Sequence, residues 1–220
     1  MALGRRKYIF HGGIGALKEH RNGGQTGHRG NDGAELFRIG LDTERYEAYM
    51  KHAFIIDRHK GTNIALMASG SMHMLDAGYG HKTYDVNEKN VYASLVFETN
   101  FTKMHNLSAG LSLNHDYLGQ TVRMVNDKEA SPVRMNEKET VPGIYAQYTF
   151  NLDHRLTAMA GIRADHSSVY GTFVTPRLHL KYMPNDILTL RLSAGKGYRT
   201  PHALAENNYL LASGRRLVID

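Results

Sequence analysis

Hydrophobic and polar residues alternate strictly through residues 188–195. The even-numbered positions are three leucines and an alanine, whereas the odd-numbered positions are Thr, Arg, Ser and Gly. A period of two is the period of a β-strand. Because the cation Arg191 lies in the middle of this leucine strand, we expect lipid on one face and water on the other, as in a transmembrane β-strand. The residues expected to face lipid are Leu188, Leu190, Leu192 and Ala194.

The same alternation recurs along much of the chain. It runs through residues 90–101, 106–116, 143–151, 155–165 and 177–182. The residues at the polar positions of these segments are smaller and more polar than those that fill a soluble core. The apolar positions hold few bulky branched side chains. Both properties favour the wall of a transmembrane barrel over a soluble β-sandwich.

The connections between these segments predict an antiparallel up-and-down meander, because short and long connections alternate. The long connections span residues 18–34, 76–89, 122–140, 169–172 and 198–214. The predicted strands span residues 3–17, 35–56, 63–75, 90–101, 106–121, 141–151, 155–166, 173–183 and 187–197, and another begins at Arg215. About ten strands of this kind predict an all-β fold, a segment of a transmembrane β-barrel with almost no helix.

Composition narrows the function. The chain has 220 residues and a mean hydropathy of -0.44, and it lacks a run of about 18 apolar residues, which excludes a membrane-spanning helix. It contains no cysteine, so neither a disulfide nor a thiolate metal site is expected. The net charge of +6 is spread along strands and loops, and we expect no nucleic-acid partner.

The N-terminal residues 1–7 are basic, but the apolar run that follows them is too short for the hydrophobic region of a signal peptide. We therefore expect no signal peptide in this chain. Since an outer-membrane protein is exported through such a signal, its absence favours a fragment.

Several motifs in the last quarter of the chain resemble one family. They are residues 175–182, residues 191–201 with the sequence Gly-Tyr-Arg-Thr-Pro at 197–201, residues 205–208 and residues 211–215. Together they closely resemble the barrel of TonB-dependent outer-membrane receptors, in a form similar to that of the Bacteroidota. Upstream segments at residues 45–49, 107–112 and 141–149 agree with this resemblance.

The resemblance implies a barrel of 22 strands that is filled by an N-terminal plug and preceded by a TonB-contacting box. Residues 1–220 would then be an interior slice of the barrel, with plug, box and signal peptide absent. The resemblance implies import of a scarce nutrient (an iron chelate such as a siderophore, a vitamin or a glycan) with energy from the TonB system. The implied partners are outer-membrane lipid, the TonB system through the plug, and the small-molecule or chelate substrate. No enzyme activity and no cofactor are implied.

The resemblance also suggests roles for individual residues. Five charged residues would face the lumen and pair with the plug: Glu98, Arg163, Arg177, Lys181 and Arg191. Three residues after the last strand would contact substrate or plug: Arg199, Glu206 and Asn207. The alternative for this second group is a structural clamp within the loop.

The sequence leaves functions other than import open. A complete small outer-membrane barrel with a structural or adhesin role is the main alternative. A barrel hydrolase would need a nucleophile, a base and an acid, and the consecutive Asp165, His166 and Ser167 are expected to point to opposite faces of their strand. The 13 histidines lack the spacing of a known metal-ligand motif, so no metal site is expected.

Overall fold

The computed structural model describes residues 7–26, 36–124, 131–153 and 155–212. They form one sheet of nine strands, each paired antiparallel with its neighbour in sequence. The all-β meander is therefore confirmed. The strands are β1 (Tyr8–Gly24), β2 (Arg38–Asp57), β3 (Thr62–Tyr79), β4 (Lys82–Asn100), β5 (His105–Met124), β6 (Val133–Leu152), β7 (Leu156–Ser167), β8 (Gly171–Tyr182) and β9 (Leu190–Gly195).

Helix is almost absent from the described part of the chain, as the alternation predicted. A four-residue helix α1 (Ala203–Glu206) and a 3-10 turn (Asn208–Leu211) follow β9. No helix among the described residues is long and apolar enough to cross a bilayer. The tenth strand, expected from Arg215, lies outside the described residues.

The lengths of the strands correct the predicted loops. A long loop over residues 76–89 was expected, but β3 and β4 continue through it and pair up to Tyr79 and Lys82. The expected loops at 18–34 and 122–140 are likewise shortened, since β1 reaches Gly24 and β5 reaches Met124. The expected strand at 187–197 is too long, because Leu188 lies in the preceding turn, where its N–H donates to Asn185.

The sheet has two distinct faces through the lower part of every strand. We call outer face the side that carries the cross-strand row Leu66, Leu95, Leu111 and Ile144. Large hydrophobic residues remain exposed on this face, for example Ile144 at 59%. We call inner face the opposite side, which carries rows of polar residues between the same strands. An apolar surface this continuous and exposed indicates contact with lipid.

Both faces change character where the strands extend beyond this apolar band. The outer face becomes polar, with Lys89, Tyr117 and Lys138 paired in one row. The inner face becomes apolar, because Tyr84 and Leu118 are buried there. The sequence pattern therefore keeps its period of two, but its phase inverts. A 20-residue strand such as β5, tilted by about 45°, rises about 45 Å, almost twice the roughly 25 Å height of such an apolar band.

The inverted part of the inner face holds the main apolar cluster of the described residues. Its buried members are Ala77, Tyr79, Tyr84, Val86, Leu118, Val122 and Leu211. Leu211 comes from the chain after β9, together with the partly buried Leu204 and Ala205. Residues 196–212, which we call the inward segment, therefore fold back onto the inner face above the apolar band.

The hairpin between β3 and β4 depends on a glycine. Tyr79 pairs with Lys82, which leaves Gly80 and His81 as a two-residue turn. Gly80 has a φ of 61°, in the left-handed region that glycine adopts without strain. This tight turn allows both strands to remain paired to their ends.

Candidate functional site on the inner face

An ion pair on β7 forms the centre of the candidate site. Arg163 and Asp165 are two residues apart, so both side chains lie on the inner face. The guanidinium contacts both carboxylate oxygens at 2.6 Å, from Nε to Oδ2 and from Nη2 to Oδ1. Nη2 also donates to Ser112 Oγ on β5 at 2.7 Å. The Asp165 side chain is only 1% exposed, and the adjacent guanidinium compensates its charge, although Oδ1 itself accepts no hydrogen bond from the described residues.

Space for this ion pair comes from a glycine on β6. A Cβ at Gly143 would lie 2.0 Å from Asp165 Oδ1, 2.8 Å from Arg163 Nη2 and 2.9 Å from Ser112 Oγ. Any side chain at residue 143 would therefore collide with all three partners. The sequence pattern predicts that Arg163 faces the lumen, but it does not predict its contacts with Asp165 and Ser112 or the role of this glycine.

Aromatic rings border the ion pair. The guanidinium carbon of Arg163 lies 5.9 Å from the centre of the Tyr145 ring, within the range of a cation–π contact. Beside it, Tyr198 stacks on Phe173 with ring centres 4.4 Å apart and an angle of 13° between the planes. Tyr198 is the tyrosine of the Gly-Tyr-Arg-Thr-Pro motif, so this motif packs against the inner wall.

A cavity of about 280 Å³ opens next to these residues. Its lining includes Arg163, Arg177, Tyr92, Tyr145 and Gln147, and none of its lining residues is acidic. No ion pair involves Arg177 among the described residues. The cavity therefore combines cationic, aromatic and hydrogen-bonding groups, a set that suits an anionic or polar ligand.

The remaining residues expected to face the lumen lie on the inner face near the opposite end of the wall. Lys181 pairs in register with Arg191 across β8 and β9, and like charges in directly opposed positions repel. Within the described part of the chain, neither cation has an ion pair. Glu98 on β4 accepts a hydrogen bond from Asn106 at 3.2 Å. The pairing of these five residues with a plug stays a prediction.

The three residues expected to contact substrate or plug are engaged with their own segment. Arg199 Nη2 lies 2.6 Å from Glu206 Oε1, and Asn207 Nδ2 donates to the Ala203 carbonyl oxygen at 2.7 Å. The Glu206 carboxylate also accepts the backbone N–H of His202 at 3.1 Å. These contacts are those of the loop clamp, the structural alternative, and a contact with substrate or plug stays a prediction.

Two glutamates that the sequence reasoning missed anchor the inward segment. Thr200 Oγ1 donates to Glu139 Oε2 at 3.0 Å, and His202 Nδ1 lies 2.9 Å from Glu137 Oε2. Both glutamates lie on the inner face of β6, two residues apart. The spacing of the two glutamates is a strand signal in the sequence, whereas the length of the 122–140 connection predicts a loop.

Polar groups also link this anchor to the buried cluster. Tyr84 donates to Gln120 Oε1 at 2.6 Å, and Gln120 donates to Glu137 at 3.3 Å. Burial, reinforced by neighbouring Tyr79 and Glu137, raises the pKa of Tyr84 to about 12. The hydroxyl therefore stays protonated and available as a donor at neutral pH.

The consecutive residues considered for hydrolysis are separated by the strand. Asp165 and Ser167 lie on the inner face, where Ser167 Oγ contacts Glu139, whereas His166 contacts Thr172 at 2.9 Å. They do not form a catalytic triad, as expected. Among the described residues, no three His, Cys, Asp or Glu side chains gather into a group that could hold a metal; the expectation that the protein has no metal site stays a prediction.

Comparison with known families assigns the fold. The family model described as TonB dependent receptor-like, beta-barrel matches residues 8–214. The chain therefore belongs to the TonB-dependent receptor family of outer-membrane proteins, through its β-barrel domain. A Bacteroidota origin stays a prediction. No curated protein sequence matches the chain at a significant level.

One solved structure shows that part of a known receptor has this fold. The alcaligin outer-membrane receptor FauA from Bordetella pertussis is 15% identical with a TM-score of 0.65, over 85% of this chain and 32% of that chain. The ferric enterobactin receptor PfeA from Pseudomonas aeruginosa is 10% identical with a TM-score of 0.36, over 88% of this chain and 40% of that chain. The chain thus spans about a third of the FauA chain.

Proposed function

We propose that this chain forms part of the wall of an outer-membrane receptor that imports a small molecule or metal chelate with energy from the TonB system. The cationic and aromatic cavity on the inner face carries this proposal. It lies on the side opposite the lipid-facing surface, where a substrate would pass.

The arrangement favours an anionic or polar cargo. Arg163 is fixed by Asp165 and Ser112, and its fixed position preorganises one side of the cavity. Arg177 has no acidic partner among the described residues, so its charge is available to a ligand. The candidate cargo classes are an iron chelate with carboxylate or catecholate oxygens, a vitamin and a glycan. The positive charge of the cavity favours the iron chelate.

The wall would contribute binding and passage rather than chemistry. The candidate nucleophile Ser167 is hydrogen-bonded to Glu139 and to the backbone N–H groups of Val169 and Tyr170. The histidine beside it lies on the other face. We therefore propose that the protein is not an enzyme and that its energy input comes through a plug and TonB contact.

A binding and uptake assay tests this proposal. The protein, produced in an outer membrane from its native gene, is given radiolabelled iron as candidate anionic chelates. Arg177→Gln should weaken chelate binding by roughly 10- to 100-fold, the worth of one charge-assisted hydrogen bond. Lys103→Gln, in an exposed turn at the far end of the strands, is the matched control and should bind as the parent does.

Uptake that is equal for Arg177→Gln and the parent would contradict the role of the cavity. Uptake that persists when the TonB system is deleted would contradict the source of energy. Because the two outcomes are independent, the role of the cavity and the source of energy can each be refuted without the other.

A further inference from the structure

A row of three residues crosses β4, β5 and β6 on the outer face, directly above the apolar band. Lys89 pairs in register with Tyr117, and Tyr117 pairs with Lys138. The two ammonium nitrogens lie 6.0 and 5.8 Å from the centre of the Tyr117 ring. Two cations therefore flank one aromatic ring at cation–π distances. We call this group the Lys–Tyr–Lys row.

The tyrosine of the row is held in place by the wall itself. Its hydroxyl donates to Asn136 Oδ1 at 3.3 Å. A Cβ at Gly119 would lie 2.8 Å from the Tyr117 hydroxyl oxygen, so the ring lies along the strand over a position that has no side chain. The ring is half-buried, while both lysines are exposed.

Charge on this part of the outer face is not balanced. Asp85 is paired with Arg123 at 2.5 Å, which satisfies that carboxylate. No ion pair is formed by Lys89, Lys138 or the nearby exposed Arg134 within the described ranges. On β1 and β2, in contrast, Lys18 lies 2.6 Å from Glu44. The excess of positive charge is thus specific to β4–β6.

The height of the row matches a lipid headgroup. Tyr117 is four residues beyond Leu113, a lipid-facing leucine of β5, which places it about 9 Å higher for a strand tilted by about 45°. The headgroup layer extends roughly 5–8 Å beyond the hydrocarbon on each side, and lysine stems reach along a surface towards it. The cations therefore lie within reach of the phosphates of the outer leaflet.

We propose that the Lys–Tyr–Lys row binds the phosphate of a lipid headgroup, with Lys89 and Lys138 on either side of the phosphate and the Tyr117 ring against the lipid. The exposed lysines supply the charge, and the adjacent apolar band receives the acyl chains. The occupant is a membrane lipid rather than free phosphate, because the site lies at the edge of the lipid-facing surface.

Native mass spectrometry of the protein purified from the outer membrane in a neutral detergent tests the proposal. The probes are dioleoyl phosphatidic acid, dioleoyl phosphatidylcholine and inorganic phosphate. Each surface lysine contributes about a fivefold gain in binding to anionic lipid, so Lys89→Gln with Lys138→Gln should weaken phosphatidic acid binding about 30-fold. Lys89→Arg with Lys138→Arg should retain binding, since the charge is kept.

The matched control removes charges on the same face at a balanced position. Lys18→Gln with Glu44→Gln eliminates an exposed ion pair and should leave phosphatidic acid binding unchanged. Equal binding of phosphatidic acid to the parent and to the Lys89→Gln/Lys138→Gln variant would overturn the proposal. An equal loss of phosphatidic acid binding in the Lys18/Glu44 control would also overturn it, because the effect would then be a general effect of charge removal. Saturation of the site by inorganic phosphate alone would overturn it too, because the site would then bind a free anion rather than a lipid.

Discussion

At the scale of single residues, Gly143 keeps open the space in which Arg163 and Asp165 meet. We predict that Gly143→Ala destabilises the protein by roughly 1–3 kcal/mol, the usual cost of inserting a methyl group into a packed site. The cause is the 2.0 Å approach of the new Cβ to Asp165 Oδ1. The loss of stability is measured by thermal unfolding, with the different electrophoretic mobility of the folded form as the readout.

Gly161 provides a matched control on the same face. A Cβ there meets its nearest atom at 3.5 Å, an ordinary contact, so Gly161→Ala should unfold close to the parent. If both alanine variants unfold alike, the geometry around Asp165 is not the cause.

A second residue-scale prediction concerns Tyr84 at high pH. An unfolded tyrosine ionises near pH 10, whereas the pKa of Tyr84 in the folded protein is about 12. The stability that Tyr84 contributes is therefore fully present below pH 10 and decreases as the pH rises towards 12. Tyr84→Phe should be less stable at neutral pH by about 1 kcal/mol, the worth of its hydrogen bond, and should lose less stability between pH 9 and 11.5. Denaturant unfolding at the two pH values checks this. An identical decrease in parent and variant would refute the role of Tyr84.

The residues of the site were only partly predictable. Arg163 and Arg177 could be identified because a cation in an alternating strand must face water or a partner. Asp165 could have been assigned to Arg163, because it lies two residues further along the same strand. Ser112 could not, because this cross-strand contact depends on the register of β5, β6 and β7. Glu137 and Glu139 were missed because their stretch contains neither a run of leucines nor a regular apolar face towards lipid.

At the scale of elements, the strands divide into a lipid-contacting part and a projecting part. Within the apolar band the pattern of leucines and small polar residues predicted the strands well. Above the band the outer positions become polar, as at Asp85 and Lys89, while inner positions such as Tyr84 become apolar. The expected loop at 76–89 was therefore wrong for a physical reason. The prediction of strands relied on apolar residues that face lipid on the outer side. In the projecting part, the outer side faces water and the inner side is packed, so the apolar residues lie on the opposite face.

This division predicts a depth-dependent cost of charge along a single strand. Leu111→Arg puts a cation into the apolar band on the outer face and should cost about 2–4 kcal/mol. Thr121→Arg, on the same face of β5 but in the projecting part, should cost less than about 1 kcal/mol. Urea unfolding in lipid vesicles compares the two variants. Similar costs at both positions would mean that the apolar band is misplaced.

The inward segment is predicted to depend on one buried leucine. Leu211 is 0% exposed, while its neighbour Leu210 is 58% exposed. Leu211→Ala removes about 2–5 kcal/mol of packing and should release residues 196–212 without unfolding the strands. Limited proteolysis of the protein in intact cells should then cleave this segment faster, and Leu210→Ala should behave as the parent. Equal cleavage of the two variants would show that the segment is not held by this contact.

At the scale of the whole molecule, the described sheet has two edges. β1 and β9 occupy the ends of the strand order, and these two strands do not pair with each other. Each edge presents N–H and C=O groups that lipid cannot satisfy. We predict that residues 1–220, expressed alone and refolded into micelles, form aggregates without transport activity. Size-exclusion chromatography with light scattering checks this, and a monodisperse monomer would indicate that the ends can join into a small barrel.

The exchange of polarity at the upper border of the apolar band also fixes how deeply the wall sits in its bilayer. A downward shift by two pairs of residues would bring Lys89 and Lys138 to the height of Leu113, in hydrocarbon, and an upward shift of the same size would expose Val91 and Leu113 to water. Because such hydrophobic mismatch is opposed in both directions, the membrane must adapt its thickness to the protein. A receptor with this wall would gather lipids of matching chain length around itself.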